Sequence, residues 1–326
     1  MKYASSIAVL TAVFVAGCGG SDGDSGPANP PVTVPPPDLA ISSDNSMQVM
    51  QVAYSTASGA GDMAGLVTNT GISAEPGAVA KVPMPGQLTK PLTNAISNVP
   101  IGPETLPCDV SGSITVSGNL ANPLTLSAGD TINMDADNCD DGLGEITDGL
   151  IASIIEAFSG DIVSSLFSMT IRMDITNYQV TTTSDVLLNH GDVTVTLDNT
   201  TPGYVSASVS ANAITTSSNT SSETLYSFLS TQTIDTRVSP SPYTMSASGT
   251  VDSSEVGGIV ELSTPVMFEG FDNDYPSEGE LLVTGAGGST VRLITIDNVD
   301  IRIEFDSDGV APPDETIDTT WVAFTS

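Results

Sequence analysis

Positive charge is what this sequence has least of. Seven Lys and Arg stand against 39 Asp and Glu, so the 326-residue chain carries a formal charge of −32. Acids are present in ordinary numbers; the imbalance is a shortage of bases. A surface so poor in cations repels nucleic acid and anionic lipid headgroups and favours divalent cations or basic partners. Histidine is nearly absent as well. His190, the only one, lies in Asn189-His190-Gly191-Asp192 between two strand patterns, where these residue types read as a hairpin turn. No Gly-x-Ser-x-Gly elbow offers it a nucleophilic serine. Aromatic residues are 5% of the chain and Trp321 is the one tryptophan, which leaves carboxylate-based glycoside cleavage without stacking rings. Phosphate loops, nucleotide fingerprints and zinc spacings are missing too.

What is abundant is Ile, Val, Thr and Ser, a composition that favours strands. After Cys108 the chain alternates: Ser113–Ser117, Asp192–Leu197, Tyr204–Val209 and Val299–Phe305 each place apolar residues two apart. Thr201-Pro202-Gly203, Gly257-Gly258, Gly285-Ala286-Gly287-Gly288 and Ser307-Asp308-Gly309 punctuate them as turns. Short turns between successive strands imply antiparallel neighbours. The expected fold is all-β: a large antiparallel sheet, as a curved meander, open barrel or sandwich. One short N-terminal helix precedes it, with Asp44-Asn45-Ser46 as a cap and Met47, Met50, Val52, Ala53 and Ala57 at loose helical spacing. Residues 146–158 carry two patterns at once. Ile146, Leu150, Ile151, Ile154, Ile155 and Phe158 have helical spacing, whereas Gly149, Ser159-Gly160 and the β-branched isoleucines oppose a helix. The favoured reading is a strand pair turning at Gly160-Asp161.

The first residues form an export signal: a basic start at Lys2, an apolar run from Ala4 to Val15, then Val15-Ala16-Gly17-Cys18. At its apolar centre the run is too short to span a bilayer, and no later stretch approaches that length. This ending resembles the lipobox of bacterial lipoproteins, and the mature domain resembles only proteobacterial envelope lipoproteins of no assigned function. The resemblance implies cleavage after Gly17, acylation of Cys18 and attachment to a membrane through the N-terminal lipid. Gly19 in place of an Asp implies the outer membrane, with either face possible. The expected organisation is a signal peptide at 1–17, a lipidated Pro/Gly-rich tether at 18–43, a helix and irregular lead-in at 44–107, and a β domain at 108–326. Extended, the tether reaches roughly 75 Å at about 3.1 Å per residue. With Cys18 consumed by lipid, Cys108 and Cys139 remain in an oxidising compartment, where a disulfide is expected. The competing metal or redox pair lacks CxxC spacing and a second histidine.

Hard oxygen ligands gather in two acidic stretches, which makes calcium the candidate cofactor. Asp137, Asp141, Gly142 and Asp148 fall at the first, fifth, sixth and twelfth places of an EF-hand loop, but Cys139 takes the third and the last ligand is not Glu. Asp306-Ser307-Asp308-Gly309 resembles degenerate DxDG loops of extracellular proteins. The competing reading of Asp137, Asp141, Asp148, Asp306 and Asp308 is exposed acidic turns. The functional expectation is a non-catalytic envelope lipoprotein with a binding or structural role, its partner an unidentified envelope protein or apolar ligand. Two alternatives stand beside it: a half-barrel carrier or chaperone of lipids or lipoproteins, and a carboxylate-dependent hydrolase.

Overall fold

The computed structural model describes residues 32–68, 102–122, 125–142, 144–161, 166–272 and 274–326. The signal sequence, Cys18 and the first part of the tether lie outside these residues, as do most of the irregular lead-in and the tip of the 146–181 hairpin. A helix, α1 (Ser46–Thr68), is followed by β1 (Glu104–Pro107), β2 (Ser111–Asn119), β3 (Thr131–Asp140), β4 (Ile146–Asp161) and β5 (Leu166–Thr181). Then come β6 (Val186–Asp198), β7 (Tyr204–Ser217), β8 (Ser222–Asp235), β9 (Pro242–Ser253) and β10 (Gly258–Phe271). The chain closes with β11 (Glu278–Thr284), β12 (Thr290–Thr295), β13 (Asp300–Asp306), β14 (Glu315–Thr320) and a last helical turn, α2 (Trp321–Thr325). Among the described residues, fourteen strands pair with their sequence neighbours in one open antiparallel sheet, with β1 and β14 as its edges. The fold is therefore a curved meander, and the stretch at 146–158 is strand.

Alternation decides which face is dry. Along β5, Met169, Ile171, Met173 and Ile175 are buried, and on the last strands Leu281, Val283, Val291, Leu293, Ile301 and Ile303 are sealed. A side chain lining a water-sized void retains accessible surface, so zero exposure at Val195, Leu197, Val251 and Leu281 means that the layer around them is filled. The opposite face carries hydroxyls in register. Thr170, Thr196, Ser208, Thr231 and Ser246 form one row across β5 to β9. The Thr170–Thr196 and Thr231–Ser246 hydroxyl pairs close at 3.2 and 2.7 Å. Such cross-strand pairs hold neighbouring strands together without burial.

A crease of bulges bends the sheet. Two residues of β3 oppose one of β4 next to Asn138, two of β5 oppose Gly149, and two of β8 oppose Gly249. Asn138, Asn177 and Ser227 take left-handed φ of 47°, 49° and 44° there. Each bulge adds twist and turns its strand toward the concave side. This also corrects the reading of His190: it lies inside β6, where two residues of β5 face it across a bulge, and it points outward into solvent. A bulge and a hairpin turn demand the same Asn/Gly chemistry, so residue type alone confuses them.

The helix lies across the inner face, against β6 to β9, β11 and β12. Asn45 starts it: its carbonyl accepts from Val49 N at 2.9 Å while its side-chain oxygen accepts from Ser42 N at 2.8 Å. It runs on to Thr68, longer than its first apolar turns indicate. β1 likewise occupies part of the lead-in that reads as irregular. The end of the tether is not free either. Asp38 and Leu39 both donate backbone N–H to Ile259 O, Ala286 N donates to Leu39 O at 2.7 Å, and Ile41 N donates to Ser289 Oγ at 3.0 Å. Asp38 to Ile41 thus forms a strap over the β9–β10 and β11–β12 turns.

Cys108 and Cys139 form a disulfide with Cα atoms 5.5 Å apart. It ties the β1–β2 turn to β3 and closes a 31-residue separation, which the chain-entropy account values at about 3–4 kcal/mol.

Candidate interaction surface

Two of the acidic residues singled out above, Asp306 and Asp308, are spent on the chain's own backbone. Asp306 Oδ1 accepts from Asp308 N and Gly309 N at 3.1 and 2.8 Å, Asp308 Oδ1 accepts from Val310 N, and Asp314 Oδ2 accepts from Ser307 N at 2.8 Å. The hydrogen bonds from Ser307 hold the Asp314 carboxyl below the usual carboxylate range. These are turn-forming bonds of the β13–β14 connection. Asp137 stands exposed on β3 beside Asn138, Asp141 follows β3 in the turn, and Asp148 is exposed on β4. Among the described residues, no three His, Cys, Asp or Glu side chains gather into a group able to hold a metal ion. Asp130, buried between β2 and β3, accepts from Ala121 N and Ser127 N at 2.8 and 2.7 Å and so pins that loop.

The few described cations are equally occupied. Arg172 lies against Glu156 and Asp174, Arg292 against Glu280, and Arg302 against Asp318. Arg237 donates to both carboxylate oxygens of Asp235 at 2.8 and 2.7 Å and holds that carboxyl down to about 2. These pairs are exposed and contribute little to stability.

Inside the sheet, Tyr178 on β5 is the exceptional titrating group. Burial pushes its hydroxyl up to about 12, opposed by a hydrogen bond with Thr147 and aided by the Glu145 charge. A raised phenol stabilises the fold fully below pH 10, and that contribution is lost as pH rises through 10 to 12. Two units correspond to about 2–3 kcal/mol. Tyr178→Phe is therefore expected to resist alkaline unfolding better than the native chain, with the two curves separating above pH 10. Equal alkaline midpoints would contradict the burial argument.

The outer face of β10 breaks the polar pattern. Four residues, Thr264 to Met267, oppose only Ser246 and Ala247 of β9. Pro265 cannot donate to a ladder, and Thr264 Oγ1 compensates by accepting from Ala247 N at 3.1 Å and donating to Ala247 O at 3.3 Å. Gly279 on β11 makes room on the other side: a methyl there would collide with Phe268. The register is thereby reset so that Phe268 turns inward, fully buried against Tyr54 and Trp321. In the same step Val266, Met267 and Phe271 emerge on the wet face at 37, 44 and 47% exposure. Between and beside them stand Glu269, Glu278 and Glu280, with Glu269 directly opposite Glu278 and Val266 opposite Glu280. Nothing in the sequence pattern around Thr264-Pro265 separates this bulge from an ordinary strand end.

No family model matches the chain, and no curated protein or solved structure matches it either. Among the described residues no helix is long and apolar enough to cross a membrane.

Proposed function

We propose that this chain is a non-catalytic cell-envelope lipoprotein, held to the outer membrane by lipid on Cys18 and carrying a binding role on its β domain. The observation that supports binding is the β10 bulge, which places Val266 and Met267 on a face otherwise given to hydroxyls, with every backbone group of Ala247 still satisfied. Bulges that re-aim side chains in this way accompany functional surfaces more often than ordinary strand faces. The strap at Asp38–Ile41 gives the reading its mechanical sense, since pull from a membrane anchor would be delivered into β10 and the β11–β12 turn rather than into a loose end. A carrier of lipids needs an underfilled inner face, and the full burial of Val195, Leu197, Val251 and Leu281 supports the binding reading over it.

The anchor is tested by mass spectrometry of the N-terminal peptide after expression in a Gram-negative host. The expected species begins at Cys18 with a diacylglyceryl thioether, and Cys18→Ser moves the protein out of the detergent phase. An unmodified Cys18 in membrane-associated protein would sink the lipoprotein reading.

A further inference from the structure

We infer that the outer face of β10 and β11 is a docking surface for a basic, apolar-bearing protein segment. The inference rests on the reading of the domain as a binding module. Met267, Glu269 and Phe271 share one face of β10, since Phe268 and Gly270 between them are buried. Across the ladder, Glu278 sits opposite Glu269 and Glu280 opposite Val266. The strip therefore alternates apolar and acidic groups at the two-residue period of a strand. Like charges directly opposite one another destabilise a sheet, so the Glu269–Glu278 pair is a standing cost that a bound cation relieves.

Charge decides the occupant. The four described arginines already lie against carboxylates, and the one nearest, Arg292, meets Glu280 only at 3.9 Å. A second copy of this chain would bring another strongly negative surface, and an anionic bilayer would be repelled in the same way. A segment with Lys or Arg interleaved with aliphatic side chains matches both components at once. Its cations sit between Glu269 and Glu278, and its apolar groups cover Met267 and Phe271. Acidic rims steer such partners and fix their register, while the desolvated apolar centre supplies residence time.

The test is fluorescence anisotropy with the full mature chain in nonionic detergent. Two labelled peptides of equal charge serve as probes, one alternating Lys and Val, the other with Lys and Gly. The Lys-Val peptide is expected to bind more tightly, and the Met267→Ser/Phe271→Ser variant to weaken it by about tenfold or more while leaving the Lys-Gly peptide unchanged. Glu269→Gln/Glu278→Gln is expected to weaken both and to flatten the salt dependence. The Met267 and Phe271 side chains are exposed, so the Met267→Ser/Phe271→Ser variant should melt close to the native chain, and the Glu269→Gln/Glu278→Gln variant at or above it because the like-charge pair is gone. Equal affinity of the two peptides, or a Lys-Val affinity untouched by either variant, would overturn the inference. Peptide binding and N-terminal mass are independent readouts: acylated Cys18 with no peptide binding would reject the partner class and leave the anchor standing.

Discussion

Trp321→Ala is expected to destabilise the domain by about 3–5 kcal/mol, the range for removing a fully buried large aromatic. The indole sits at zero exposure beneath the end of the sheet. Tyr275 stacks on it with centroids 5.5 Å apart, Tyr54 approaches at 5.1 Å, and Phe268 and Phe324 meet it edge-on. Its Nε1 donates to Pro276 O and Asp297 O at 3.2 and 3.3 Å, tying the β10–β11 loop to the β12–β13 turn. Gln51 on α1 donates to Phe324 O at 2.6 Å, so the same cluster clasps the helix to the C-terminus. Trp321→Phe keeps most of the ring and loses both hydrogen bonds, and should fall between native and Trp321→Ala in urea unfolding followed by far-ultraviolet circular dichroism. A Trp321→Ala variant within about 1 kcal/mol of native would show that this end of the sheet is held by something else.

The strand pattern was legible because its cause is local. Ser113–Ser117, Asp192–Leu197 and Tyr204–Val209 lie in strands, as does Val299–Phe305 from Asp300 onward, since alternation is dictated by one dry face. Features set by distant partners left no such trace. The strap at Asp38–Ile41 reads as tether because its hydrogen-bond partners, Ile259, Ala286 and Ser289, are more than two hundred residues away. The helix runs through Gly59 and Gly61 against their propensity, while its packing on the sheet is made earlier, by Val49, Met50, Ala53 and Ala57. Asp306 and Asp308 look like ligands in sequence because the same carboxylates that coordinate cations also accept from turn amides, and only geometry separates the two uses. The exposed strip on β10 was invisible for a related reason: a bulge is a mismatch between two strands, and one strand's residues do not reveal it.

The crease itself predicts the second large effect. Gly149 has φ of 109°, and a methyl group there would press on the carbonyl of Asn177 and the backbone of Tyr178. Gly149→Ala thus combines backbone strain of about 1–3 kcal/mol with a collision against main chain, which cannot rotate away as a side chain can. Gly257 provides the comparison. It too has positive φ, 77°, but nothing lies within 4 Å of a β-carbon placed there, so Gly257→Ala meets only the left-handed penalty of roughly 1–2 kcal/mol. The expected order in urea unfolding is native, then Gly257→Ala, then Gly149→Ala, with the last two separated by about 2 kcal/mol or more. Equal losses would mean that the bulge opposite Gly149 yields freely and that the bend of the sheet is carried by other positions. The expected order instead places the bend in the backbone contacts between β4 and β5, one strand beyond disulfide-bearing β3. There the extra residue of β5 opposite Gly149 keeps Ile175 and Tyr178 both on the dry face, although they stand three residues apart.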